Sequence, residues 1–243
     1  MNKREFIELK HNNKGLSLVE LIVAISVGVI VASAIAALMT FAIRMYRNES
    51  ANLSAQYELQ TNVNQIIDSI MGANCYVIQK VNTPSATAPN RLTEYAAFGK
   101  FNGSDFDGVI FVAGEEKPSG SGRFNIYMDR GKWPGSTALA AVSSQVSVIN
   151  ADMTSAHSRY LLGEGSTQFR IEPKILTASP KTYVNITASG YKNPLSVEVE
   201  LNFQKDATGK VVNRHVKDEA LIRNKISTNI YIDGIEFKPD KAK

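Results

Sequence analysis

From Leu21 to Ile43 the sequence contains no charged residue, a run of 23 positions built from Leu, Ile, Val and Ala. At ~1.5 Å per helical residue the run reaches about 34 Å, enough to cross a hydrocarbon layer of ~30 Å. Gly28, Ser26, Ser33 and Thr40 are interspersed through it, and small residues of this kind permit close helix–helix contact. Lys3, Arg4, Lys10 and Lys14 precede the run, offset by Glu5 and Glu8, and Arg44 and Arg47 follow it. The excess of positive charge on the N-terminal side favours a cytoplasmic N-terminus and an exported C-terminal bulk.

Such a segment is open to several readings. It can be a plain signal anchor, or a cleaved secretory signal, since Ala32-Ser33-Ala34 has the small-x-small form that signal peptidase accepts. A buried core helix is disfavoured by the length of the run. Glu20 discriminates among them. It stands at the head of the apolar run, directly after Gly15-Leu16-Ser17-Leu18-Val19. An ionised carboxylate within a membrane segment costs about 2.5–3.5 kcal/mol at mid-membrane, so it calls for a partner. A cut between Gly15 and Leu16 would create an α-amine four residues from Glu20, within reach on a helix. In a bundle of parallel helices the same carboxylate would neutralise the amine of a neighbouring subunit.

The string Lys14-Gly15-Leu16-Ser17-Leu18-Val19-Glu20-Leu21-Ile22 resembles the prepilin processing site of type IV pilins and pseudopilins. In that family a basic leader ends in Gly, cleavage and N-methylation follow it, and Glu occupies the fifth mature position. The resemblance implies cleavage after Gly15, methylation of Leu16 and an assembly or register role for Glu20. It also implies a prepilin peptidase, an assembly platform and other pilins of a helical filament as partners. It covers Gly15 to about Met71 well and the rest only by general plan. Two features depart from common pilins. No Pro occurs before Pro84, so the helix-kinking proline of many major pilins is missing. A single cysteine cannot close the C-terminal disulfide loop of many Gram-negative pilins, which would suit a Gram-positive producer.

Beyond Arg44 the sequence turns polar without losing a helical period: Tyr46, Leu53, Tyr57, Val63, Ile67 and Ile70 recur at steps of three, four or seven. Gly72 followed by Asn74 supplies a stop. A helix from Leu16 to Met71 would measure roughly 84 Å. The expected organisation is a leader at 1–15, a long helix at 16–72 and a β-rich head at 73–243. Within the helix, about 16–43 is the transmembrane or filament-core part and 44–72 is amphipathic.

In the head, loops are expected at 83–94, Gly114 to Gly122, Lys132 to Ser136 and Pro173 to Lys181. Strand candidates are 74–81, 108–113, 124–129, 145–149, 167–172, 183–188, 195–204, 210–216 and 228–232, with a short helix at 217–225. The clearest strand is Leu195-Val197-Val199-Leu201-Phe203, with Ser196, Glu198, Glu200, Asn202 and Gln204 facing outward. Asp206-Ala207-Thr208-Gly209 turns it into a hairpin with Lys210 to Val216, and Asp233-Gly234 marks a second turn. The fold class is α+β, the type IV pilin fold, with an antiparallel sheet packed on the second half of the helix. Tyr160 to Gly165 followed by Gln168 to Glu172 looks like a stretch of larger minor pilins (PilW-like) and J-type pseudopilins. With the length of the chain, that points to a minor subunit.

The remaining chemistry is sparse. With 27 Lys+Arg against 23 Asp+Glu the net charge is +4, which compels no nucleic-acid footprint. Loss of the leader would leave 23 against 21, so the mature charge would be about +2. The lone Cys75 excludes an internal disulfide and a cysteine-rich zinc site, and reads as a small buried hydrophobe. His157 and His215 stand in no two-ligand spacing, and no nucleophile-elbow, Walker or dinucleotide pattern occurs. The Ser-Gly repeat at 119–122 reads as loop. Asn102-Gly103-Ser104-Asp105-Phe106-Asp107-Gly108 has the alternating oxygens of a Ca²⁺ loop but lacks a distal Glu, and a tight turn explains it equally well. Lys238, Lys241 and Lys243 read as solvated. No cofactor or metal is expected, and the protein is read as a non-enzymatic filament subunit. The alternative is a signal-anchored extracellular binding or adhesive protein.

Overall fold

The computed structural model describes residues 17–80, 93–115, 122–153, 159–176, 183–185, 190–191, 195–207, 210–222 and 230–239. The chain divides into two compact units, Met1–Glu49 and Ser50–Lys243, with the boundary inside a single long helix, α1 (Leu18–Gly72).

In the first unit every described residue is exposed, including Val29, Ile30 and Phe41. The polar side chains of this stretch are satisfied by the helix itself. The hydroxyls of Ser26, Ser33 and Thr40, seven residues apart, donate to the carbonyls of Ile22, Val29 and Ala36 at 2.7–2.8 Å. Back-bonding of this kind lets a hydroxyl sit in an apolar helix without an external partner.

In the second unit α1 buries one stripe: Ala55, Leu59, Asn62, Val63, Ile66 and Ile70. The steps of three and four place these on one face. The expected stripe is therefore half right. Val63 and Ile70 belong to it and Ile67 packs at its margin, but Tyr46, Leu53 and Tyr57 are 75%, 52% and 72% exposed. Small Ala55 and polar Asn62 take the buried positions instead.

The strands are β1 (Cys75–Lys80), β2 (Thr93–Phe101), β3 (Asp105–Glu115), β4 (Phe124–Pro134), β5 (Leu161–Leu176), β6 (Tyr183–Asn185), β7 (Gly190–Tyr191), β8 (Leu195–Ala207), β9 (Lys210–Leu221), β10 (Ile230–Ile232) and β11 (Ile235–Pro239). A second helix, α2 (Ala138–Met153), lies between β4 and β5. One sheet runs β7-β11-β10-β1-β2-β3-β4-β5-β8-β9, with β6 paired to β5. Its pairs are antiparallel except β1 with β10 and β11 with β7. The architecture is α+β, a long apolar helix followed by an antiparallel-rich sheet, consistent with the expected pilin fold.

One face of the sheet takes the α1 stripe, in a core that joins Leu59, Val63, Ile66 and Ile70 to Phe98, Phe111, Phe169, Val199 and Leu201. The other face, over β1 to β4, is covered by α2 through Ala138, Ala141, Val142, Val146 and Ile149, against Val77, Ala97, Phe106 and Ile110. Strands buried on both faces have no polar alternation, which is why Val109 to Val112 reads as a continuous apolar run. It also hid β2, whose Tyr95 to Gly99 is buried throughout.

Several expectations need correction. Residues 145–149 are helical, not a strand. The β-branched alternation there sits inside a longer window whose buried residues recur at helical spacing, and Thr137 caps it by accepting the Ala140 N–H at 3.1 Å. The loop expected at Lys132 to Ser136 is strand as far as Pro134, and β5 continues through Pro173 to Leu176. The helix expected at 217–225 is strand through Leu221, because pairing with β8 overrides the helical propensity of Lys217 to Leu221. Strands β2, β7 and β11 lie where no strand is expected. The hairpin of β8 with β9 and the Asp233-Gly234 turn are present, the latter with φ of 52° and 77°. That left-handed pair is the two-residue turn that matches strand twist. Residues 208–209 and the loop cores at 83–92 and 116–121 lie outside the described residues.

Candidate functional site

Gly15 and Leu16 lie outside the described residues; the structure begins at Ser17. Ser17 is the N-cap of α1, with its carbonyl accepting the Leu21 N–H at 3.1 Å and its Oγ accepting the Val19 N–H at 3.4 Å. Glu20 reaches back, and its Oε2 accepts the Ser17 N–H at 2.9 Å. Together these form a reciprocal capping box, Ser-x-x-Glu, which satisfies donors that a helix start leaves open. The signal for it in the sequence is the Ser17-x-x-Glu20 spacing, beside the charge of Glu20. A carboxylate in the first turn also meets the positive end of the helix dipole. Its second oxygen has no partner among the described residues.

The helix that this cap starts is long and apolar enough to cross a membrane. None of its apolar window is buried within the protein. Burial at ~25 cal/mol per Å² must therefore come from lipid or from other chains.

Elsewhere the structure separates the weaker candidates. The Asn102–Gly108 segment is the β2–β3 hairpin. Asn102 Oδ1 accepts the N–H groups of Ser104 and Asp105 at 3.0 and 2.8 Å, and Phe101 pairs with Phe106 across it. The hydrogen bond from Lys132, at 3.0 Å, holds the Asp105 carboxyl below its usual range. No group of acidic, His or Cys side chains suited to a metal occurs among the described residues. Cys75 is buried beside Val77 and the α2 face. His215 is exposed, with Nε2 2.8 Å from Glu200 Oε1. His157 lies outside the described residues, as do Ser119 to Ser121, Lys241 and Lys243.

The β8 carboxylates are not solvated as the alternation suggested. Glu198 is 5% exposed and Ser196 is buried. They belong to a lattice on the face of β5, β8 and β9 away from α1. Arg170 meets Glu172, Glu198 and Glu200 at 2.5, 3.5 and 3.3 Å. Glu198 also binds Lys174 and, at 3.0 Å, Lys217. Burial alone would raise the Glu198 carboxyl, but the lysine hydrogen bonds overcome it and hold it below its ordinary value. Glu200 shows the same balance, with His215 and Arg170 as its donors.

The Tyr160–Gly165 stretch has a packing explanation. Gly163 faces α1, where an added Cβ would lie 2.6 Å from Asn62 Nδ2, and Gly165 has φ of 72°.

Comparison with known proteins bears on the capped N-terminus. Residues 10–36 match the family described as the prokaryotic N-terminal methylation motif. No curated protein and no solved structure matches the chain. The matched residues span the basic approach, the cap and the apolar run as far as Ala36. The motif implies processing by a prepilin peptidase and assembly with other pilins, in a family that is structural rather than enzymatic. The motif, a membrane-capable helix and a sheet-bearing head in one chain are together similar to what type IV pilins and pseudopilins carry, and the motif supports that family.

Proposed function

We propose that this chain is a minor pilin (PilW-like) of a type IV pilus or of a related secretion or competence pseudopilus. Residues 1–15 form the leader, 16–72 the assembly helix and 73–243 the head. The chain waits in the cytoplasmic membrane with its N-terminus inside and its head outside. A prepilin peptidase cuts after Gly15 and methylates Leu16, and the assembly platform then moves the helix into a filament at the cell surface. The observation that carries this reading is the motif at 10–36 running into a helix exposed on every side through Glu49. Glu20 both caps its own helix and offers its second oxygen to the Leu16 amine of a neighbouring subunit. An unpaired charge in that apolar bundle would be strongly destabilising.

Sequencing the mature N-terminus tests the processing step. Leu16 is expected; Met1 or Asn2 would indicate a signal-anchored surface protein, and Ile35 a secreted one. Gly15→Ala should abolish the Leu16 terminus. Two substitutions separate the roles of Glu20. Gln at the third helical position still completes a capping box, so Glu20→Gln keeps the cap and removes the charge. Both Glu20→Gln and Glu20→Ala should be processed normally and both should fail to enter filaments. Normal incorporation of Glu20→Gln would leave only the capping role.

A further inference from the structure

On the face of the sheet that carries α2, an open cleft of about 550 Å³ runs along β4. That size lies within the usual span of ligand sites, ~300–1,000 Å³. Asp129, Gly131 and Trp133 alternate along β4 and share this face; Gln145 of α2, Arg159 and Tyr160 line the cleft with them, as do Met128, Arg130 and Lys132 of the same strand. Filament assembly, as proposed above, uses none of them.

The groups are held in place. Trp133 stacks on Phe106, centroids 6.2 Å apart and planes 20° from parallel. Its indole lies over Gly131, where an added Cβ would stand 3.3 Å from the ring. Trp133 is only half-buried, and its Nε1 meets no acceptor among the described residues. Gln145 Nε2 donates to Asp129 Oδ2 at 2.5 Å, leaving one acceptor oxygen on each side chain. Arg159 lies 4.5 Å over the Tyr160 ring and hydrogen-bonds its hydroxyl, which fixes the guanidinium with further N–H groups to spare.

An apolar plate beside planar donors and acceptors is the chemistry of a polyhydroxylated ring. A pyranose presents a C–H face to an indole, and its neighbouring hydroxyls pair with carboxylate, amide and guanidinium edges. The polar walls disfavour an acyl chain. We propose that this cleft binds a saccharide, with Trp133 as the stacking platform and Asp129, Gln145 and Arg159 as hydroxyl partners.

The full chain in detergent, applied to an array of mono- and oligosaccharides, tests this. Trp133 is the only tryptophan in the sequence, so its emission reports occupancy directly. At least one glycan should bind, shift that emission saturably, and lose tenfold or more in affinity in Gln145→Ala and Asp129→Ala. Gln145 is partly exposed on a helix, so Gln145→Ala should fold normally by circular dichroism, and Trp133→Phe provides a second variant. The proposal is overturned if no glycan binds the wild type better than Trp133→Phe. It is equally overturned if bound glycans leave the emission and the Gln145→Ala affinity unchanged, or if single-stranded oligonucleotide shifts the emission and the glycans do not. Filament incorporation is read separately, so failure here leaves the assembly reading intact.

Discussion

Along α1, Leu21, Ile25, Val29 and Phe41 are each more than half exposed, whereas Leu59, Val63, Ile66 and Ile70 of the same helix are at most 1% exposed. Hydrophobic content alone does not explain this contrast, since the exposed part is the more apolar. The periodicity does. Where apolar residues occupy every face, the surrounding medium must be lipid or several other chains. Where they occupy one stripe, a single sheet suffices. The head repeats the contrast across one face of its sheet. Helix α2 covers β1 to β4 with apolar side chains, and the Arg170 lattice occupies the equivalent face of β5, β8 and β9 without a helix.

The sharpest break in this comparison is a charge placed in the covered stripe. Ile66→Asp should cost the head about 4 kcal/mol or more, because an unpaired carboxylate would be buried in the core. Tyr57→Asp, on the open side, should cost under about 0.5 kcal/mol. Urea melts of the full chain in detergent, followed by Trp133 emission, compare the two. In the uncovered part the same change should act on membrane retention instead. Val29→Asp should cost about 2.5–3.5 kcal/mol of insertion, seen as release on alkaline extraction, and leave the urea midpoint of the head in place.

The lattice should respond to acid. The Glu198 and Glu200 carboxyls are held below their ordinary value of 4.5. As pH falls, the unfolded chain takes up these protons first. Their contribution is therefore complete above about pH 4.5 and is lost as pH drops through the lower folded values. Arg170→Met should cost about 1–3 kcal/mol at neutral pH, discounted because Arg170 is partly exposed. It should also flatten the acid-side loss in melts between pH 3 and pH 6, a range set by ordinary carboxylates at ~4. The smallest effect is expected at Asp233, whose Oδ1 accepts the Lys80 N–H at 2.6 Å. Asp233→Ala should cost about 1 kcal/mol and Asp233→Asn less, since Asn tolerates the left-handed backbone and keeps an acceptor.

The legible parts of this molecule were those in which one local rule acted alone. The uncharged run, the Glu20 position, the β8 alternation and the Asp233-Gly234 turn each follow from spacing or backbone preference. The misread parts were those in which tertiary partners overruled a short window. Gln145 to Ile149 resembles a strand until Ala138 to Val142 extend the period. Lys217 to Leu221 resembles a helix until β8 claims its backbone. Tyr95 to Gly99 is buried on both faces and so shows no alternation to read. The lining of the β4 cleft comes from β4, α2 and the turn before β5, and nothing in the sequence brings Gln145 beside Asp129.

Strand β1 leaves the long helix and pairs in parallel with β10, Tyr76 beside Ile230. The bond from Lys80 to Asp233 joins residues 153 apart in sequence. A chain synthesised from its N-terminus thus holds its first strand half-paired until Ile230 to Ile232 have been made. Closing so long a loop is slow, and the open edge is exposed in the meantime. Closure of this edge of the sheet is in this way a report on how far synthesis has gone: a chain truncated before Ile230 would carry an intact long helix and an unfinished sheet.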